Sequence, residues 1–206
     1  SLYGHDVHIL TPSPDVLRGV DAVVYDICDI GTRFYTYAAT LAFTMEVAAR
    51  ESVPVWVLDR PNPIGYSREG ALLQKGFESF CGIEEGLPVR HGMTVGELAH
   101  WYAERRSPDV DLRVVPCDRD SVAPWVPPSP NMPTVDTAVV YPGMCLLEGT
   151  TLSEGRGTTT PFLIFGAPGV PPRDVAQALN ERALPGVDFV PRVFRPEFGK
   201  HGGELC

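Results

Sequence analysis

The sequence predicts an α/β fold built on a parallel sheet, and three observations carry that reading. Val20–Ile30 (VDAVVYDICDI) is an apolar, β-rich run with an aspartate near its far end. Tyr35–Glu51 follows, with Leu41, Met45, Ala48 and Ala49 at helical spacing. Pro54–Leu58 (PVWVL) is a second apolar run of strand length, as in a sheet buried on both faces. A strand, a crossover helix and a second strand form a right-handed unit with parallel strands. The loops Asp29–Arg33 and Asp59–Gly65 then both lie at the carboxyl edge of the sheet, where open α/β sheets bind ligands.

The other elements follow from local chemistry. Val7–Leu10 is too short to interpret. Thr11-Pro-Ser-Pro-Asp15 is a turn cluster, and Pro14–Leu17 can open a short helix. Gly31–Arg33 breaks the first strand. Two prolines and a glycine exclude regular structure from Asp59-Arg-Pro-Asn-Pro-Ile-Gly65. Thr94–Arg105 reads as a helix N-capped by Thr94, with Glu97 at the capping-box position. Leu112–Cys117 is a third strand. Prolines at 124, 127, 128, 130 and 133, with Pro116 nearby, make Ser121–Pro133 stiff and irregular, a candidate domain junction. Beyond it, Ala138–Tyr141 is expected as a strand, Cys145–Gly157 as polar loop, Pro172–Arg182 as a helix and Asp188–Phe194 as a strand.

Composition bounds the function. The 206 residues are 44% hydrophobic and 21% charged, an ordinary globular balance. At about 150 residues per domain this is one large domain or one and a half. A net charge of −9 with no Lys/Arg block argues against nucleic acid as a partner. No apolar run reaches the roughly 18 residues of a membrane span. The sequence opens on Ser1 rather than Met, so the lack of a visible secretory signal assigns no compartment. Five cysteines, an odd number with no C-x-x-C pair, read as reduced structural thiols. The five histidines form no H-E-x-x-H, and His5 with His8 is a weak metal signal.

Phosphate-cradling loops and the α/β-hydrolase elbow have no motif here. What remains is carboxylates and arginines in glycine- and proline-rich loops: Asp26, Asp29 and Arg33; Asp59 and Arg60; Glu69; and Glu148, Glu154 and Arg156. Paired carboxylates suit glycoside hydrolysis, one protonating the leaving oxygen and the other acting as base or nucleophile. Each candidate also has a structural reading. Arg33 and Arg60 can pair with Asp29 and Asp59. Asn62 and Asn131, each in a proline-flanked turn, can be Asx-turn residues. His91 can cap a helix start or hold a loop.

Five stretches, taken together and in order, carry a resemblance. They are Tyr25-Asp-Ile-Cys-Asp-Ile-Gly-Thr-Arg-Phe-Tyr-Thr-Tyr37, Leu58-Asp-Arg-Pro-Asn-Pro-Ile-Gly65, Arg90-His-Gly-Met-Thr-Val-Gly-Glu-Leu98, Pro128-Ser-Pro-Asn-Met-Pro-Thr134 and Leu147-Glu-Gly-Thr-Thr-Leu-Ser-Glu-Gly-Arg-Gly-Thr158. They resemble the NamZ-type exo-β-N-acetylmuramidases. The resemblance implies a glycoside hydrolase that releases N-acetylmuramic acid from the non-reducing ends of peptidoglycan fragments. It implies a Rossmann-like parallel sheet with flanking helices and a smaller α+β auxiliary domain, with the site in the cleft between them. Residues 1–133 would be the C-terminal part of the first domain and 134–206 the start of the second. No metal or redox cofactor is implied. The implied partners are muramic acid saccharides, in a cell-envelope or secreted setting.

The resemblance also sets the candidate residues. Glu154 and Glu69 are the expected catalytic carboxylates. Arg33, Arg60, Asn62, His91, Asn131, Glu148 and Arg156 are the expected substrate contacts, because arginine matches the lactyl carboxylate of muramic acid bidentately. Members of the family are longer and carry a Pro-Glu-His-Gly motif whose glutamate is a leading catalytic candidate; this sequence is expected to begin after it. Position 28 is Cys where relatives commonly have Gln. The competing readings are a non-catalytic sugar-binding or structural fragment and a nucleotide-binding enzyme; the missing glycine fingerprint argues against the latter.

Overall fold

A computed structural model describes residues 11–121 and 124–206. Val7–Leu10 and the histidine pair His5 and His8 lie outside the described residues. The chain divides into two compact units, the first ending at Pro128 and the second spanning Ser129–Cys206.

The first unit is built on the expected β-α-β pattern. A 3-10 turn, Pro14–Leu17, precedes β1 (Val23–Tyr25). α1 (Tyr37–Glu51) crosses to β2 (Val55–Leu58), which pairs parallel with β1 in the register Tyr25↔Val57. A hairpin of β3 (Glu69–Leu72) and β4 (Pro88–Arg90) follows. α2 (Val95–Arg106) then leads to β5 (Leu112–Val115), parallel to the other side of β2. The sheet order β1-β2-β5 places β2 in the centre, and Val55 and Val57 are completely buried. Leu41, Met45 and Ala48 of α1 and Leu98, Ala99 and Tyr102 of α2 join them in one apolar cluster. Thr94 caps α2 as its sequence predicts: its side chain accepts from Glu97 N–H at 3.2 Å, and the Glu97 carboxylate accepts from Thr94 N–H at 2.9 Å.

The first strand is shorter than the apolar run, for a visible reason. Beyond Tyr25 the chain leaves the parallel ladder and pairs elsewhere: Arg33 N–H donates to Val89 O at 2.9 Å and His91 N–H to Gly31 O at 3.3 Å. The loop after β1 is thereby stitched to the end of β4. The hairpin itself has little local signal, because every residue of β3 is exposed.

The second unit corrects two strand expectations. Ala138–Tyr141 is helical, inside α3 (Val135–Met144). Thr134 caps this helix by accepting from Thr137 N–H at 3.1 Å, and Thr137, Ala138 and Tyr141 form its buried stripe. A capped helical stripe overrides the β preference of the valines. Asp188–Phe194 is irregular. The Asn180 amide, at the end of α4 (Pro172–Asn180), occupies both backbone groups of Phe189 at 2.8 Å each, so that residue has none left for a ladder. Between the helices lie a 3-10 turn at Cys145–Gly149 and the bridge Ser153↔Gly166, and Phe194 exchanges backbone hydrogen bonds with Cys206 at 3.0 and 2.9 Å.

Candidate functional site

At the carboxyl edge of the first unit, Asp59 follows β2 directly and faces the start of α2. Its Oδ1 accepts Gly96 N–H at 2.7 Å and its Oδ2 accepts the Thr94 hydroxyl at 2.9 Å. A carboxylate there complements the helix dipole. The approach is close enough to require glycine: a Cβ on Gly96 would lie 2.7 Å from both Asp59 Cγ and Val114 Cγ1. The Cys117 thiol sits 3.5 Å from Asp59 Oδ2, and burial together with that carboxylate pushes it up to about 11. Asp59 is therefore committed to the scaffold.

Three loops lock together beside it. His91 is fully buried. Its Nδ1 accepts Met93 N–H at 3.2 Å, so in the neutral ring Nε2 carries the proton and faces Asp29 Oδ2 at 3.1 Å. The same Asp29 oxygen accepts Gly31 N–H at 2.7 Å. Asn62 forms the predicted Asx turn, accepting Ile64 N–H at 3.1 Å, and its Nδ2 donates to Met93 O at 2.9 Å. Gly31 has φ +78° and closes against Asn62, whose Oδ1 would lie 2.3 Å from any Cβ there. Asp29, Gly31, Asn62, His91 and Met93 thus form one latch across the loops that follow β1, β2 and β4.

The arginines divide by their partners. Arg33 is buried and donates to the carbonyls of Ala71 (3.0 Å) and Leu87, holding the hairpin rather than pairing with Asp29. Its burial lowers its pKa from the ordinary arginine value. Arg90 bridges the exposed Glu69 at 2.9 Å and Ile64 O at 2.6 Å. The Arg60 guanidinium pairs with Asp26, and this hydrogen bond raises its pKa, while the Arg60 backbone N–H donates to Asp59 Oδ1 at 2.9 Å.

The second unit holds the other candidates. Asn131 lies half-buried in a turn closed by Met132 N–H to Ser129 O at 3.0 Å. Glu154 is buried: its side chain is 5% exposed, with Arg156 Nε 3.4 Å from Oε1 and Lys200 Nζ 3.2 Å from Oε2. Arg156 also pairs with Glu148 at 2.7 Å and lies 5.0 Å above the Phe162 ring. Burial opposes the charge of Arg156, but the Glu148 hydrogen bond and charge win and raise its pKa. Lys200 further donates to the carbonyls of Leu147 and Glu148 at 2.9 Å and of Leu152 at 3.1 Å. Gly155 (φ +84°) makes the tight approach possible, since a Cβ would meet Ile164 O at 2.6 Å.

Lys200 and the Asp29–His91 contact were absent from the candidate set. A basic residue inside Phe-Gly-Lys-His-Gly-Gly203 was the one sequence signal for the former. Among the described residues no group of three or more His, Cys, Asp or Glu could hold a metal ion, and no helix is long and apolar enough to cross a membrane.

A parallel α/β sheet whose carboxyl edge carries interlocked polar loops is the architecture of the open α/β folds that bind ligands at that edge. The particular kind is given by sequence. The chain belongs to the NamZ exo-β-N-acetylmuramidase family: residues 1–136 match its N-terminal domain and residues 139–206 its C-terminal domain. It is 46% identical to the peptidoglycan β-N-acetylmuramidase NamZ of Bacillus subtilis (strain 168), an alignment covering 100% of this chain and 51% of that protein. Two crystal structures of DUF1343 family proteins from Bacteroides fragilis NCTC 9343 share the fold. One has a TM-score of 0.87 and 36% identity, covering 100% of this chain and 56% of that one. The other has a TM-score of 0.76 and 32% identity, covering 95% and 54%. The chain thus spans about half the length of the relatives it matches.

Proposed function

We propose that this protein is a glycoside hydrolase that releases N-acetylmuramic acid from the non-reducing ends of peptidoglycan fragments. The observation that carries the reading is the 46% identity, running through the whole chain, to a peptidoglycan β-N-acetylmuramidase. In this reading residues 1–133 belong to the Rossmann-like catalytic domain and residues 134–206 begin the auxiliary domain.

Glu69 and Glu154 are the two candidates for the second catalytic carboxylate, beside the Pro-Glu-His-Gly glutamate that members of the family carry. Glycoside hydrolysis uses one carboxyl group to protonate the leaving oxygen and another as base or nucleophile. Glu69 is open to solvent, with a side chain 58% exposed and Arg90 at its side. Glu154 has a cation beside each oxygen, which fixes its position. Arg33, Asn62 and His91 hold the loops of the carboxyl edge through the latch and the hairpin. Arg60, Asn131, Glu148 and Arg156 supply the polar contacts to sugar.

The test is proton NMR of a muramic acid–glucosamine disaccharide incubated with the protein. New anomeric signals from free N-acetylmuramic acid are expected. Line broadening without new signals would favour a sugar-binding protein that does not turn over, and an unchanged spectrum from folded protein would overturn both readings.

A further inference from the structure

We infer that Arg60, steadied by Asp26, reads a carboxylate on the substrate and so sets the preference for an N-acetylmuramyl over an N-acetylglucosaminyl residue. The inference rests on the glycosidase reading above and names the recognition element within it.

The argument is one of position and of unused donors. Asp26 follows the last residue of β1, and Arg60 stands two residues beyond the last residue of β2. These strands are neighbours with Tyr25 opposite Val57, so the pair spans two adjacent strand ends at the ligand-binding edge. A guanidinium carries five N–H donors. Among the described residues the Arg60 guanidinium has one partner, Asp26, reached through Nη2. The pair is open, with side chains 42% and 51% exposed, although Arg60 Nε is itself buried. Burial of Nε together with the Asp26 contact holds the fork in one orientation.

The other arginines with described partners in these loops are committed. Arg33 is buried on two carbonyls, and Arg90 joins Glu69 to Ile64 O. Arg119 is stacked 4.0 Å over Tyr66 and paired with Glu97 at 3.1 Å.

The chemistry that fits a held, under-used guanidinium is a carboxylate, which accepts two parallel N–H donors. N-acetylmuramic acid differs from N-acetylglucosamine by one such group, the lactyl ether. A neutral sugar leaves Arg60 with Asp26 alone, whereas an acidic one adds a second acceptor on the remaining donors.

The test compares N-acetylmuramic acid with its lactyl amide, measuring binding by calorimetry to the wild-type protein, R60A, R60K and D26N. Circular dichroism confirms that each variant is folded. The wild type is expected to bind the acid about 10–100-fold more tightly than the amide. R60A is expected to bring that ratio close to one. R60K keeps the charge but loses the fork, and its ratio falls between the two. D26N narrows the ratio by freeing the fork to rotate. A folded R60A that keeps the acid-over-amide ratio, or that loses both ligands equally, overturns the assignment. A wild type that binds neither sugar instead overturns the glycosidase reading, which separates the two failures.

Discussion

The carboxyl edge of the first unit and the Glu154 cluster of the second use the same ingredients in opposite ways. At the edge, Asp26 and Arg60 are both half-exposed. In the second unit the carboxylate is buried, at 5% exposure, while its cations Arg156 and Lys200 keep 34% and 31%. A buried carboxylate pays a large desolvation cost and depends on its partners, so removing one group leaves a charge stranded. An exposed pair contributes about 0–1 kcal/mol. The lesson is that the open pair can take a new partner at little cost, whereas the buried carboxylate is held in one place by its cations.

The largest expected effect tests the anchor. Glu154→Gln should destabilise the second unit by about 2–4 kcal/mol, a buried-pair loss reduced for the partial exposure of both cations. Amide hydrogen exchange across residues 147–166 should report it, and unchanged protection there would break the comparison. Next is the latch of the first unit. Gly31→Ala places a methyl group 2.3 Å from Asn62 Oδ1 at a φ of +78°. A cost of about 2–3 kcal/mol in urea unfolding is expected from overpacking and strain. A smaller effect follows at the open pair, where Asp26→Asn should change stability by less than about 1 kcal/mol. A loss as large as that of Glu154→Gln would remove the distinction between anchor and open pair.

The smallest effect is a pH dependence. The Cys117 thiol is raised in the folded protein from its ordinary 9.0 to about 11. The unfolded thiol therefore ionises first. Its contribution to stability is complete below about pH 9 and is lost as the pH rises through 9 towards 11. Alkylation by iodoacetamide should accordingly stay slow at Cys117 at pH 9 and accelerate only above it. Reaction at pH 9 as fast as in the unfolded chain would contradict the Asp59 contact.

The parts legible from sequence are those whose cause is local. The β1-α1-β2 unit follows from apolar periods, and the start of α2 from Thr94 and Glu97, three residues apart. The β3–β4 hairpin was invisible because its support comes from Arg33, 38 residues from Ala71 and 54 from Leu87. Ala138–Tyr141 read as a strand because valine favours strands, and the tertiary burial of Thr137, Ala138 and Tyr141 decided otherwise. At the site, Asn62 and His91 stood out as polar residues in constrained loops. That they face one another's loops, with Asp29 as the acceptor, needed the fold. Lys200 was missed because the carbonyls it binds lie 48 to 53 residues before it in the chain.

That separation has a consequence for assembly. Lys200 gathers three carbonyls from the Leu147–Leu152 turn and the Glu154 carboxylate, closing a loop of roughly fifty residues whose entropy must be met before any of those bonds forms. During synthesis the segment around Glu154 emerges without its cation and waits for the Phe-Gly-Lys-His stretch to follow. The first unit precedes it in the chain and can settle before then. The Glu154 cluster therefore closes late, and a chain stopped short of residue 200 would carry Glu154 with one of its two cations missing.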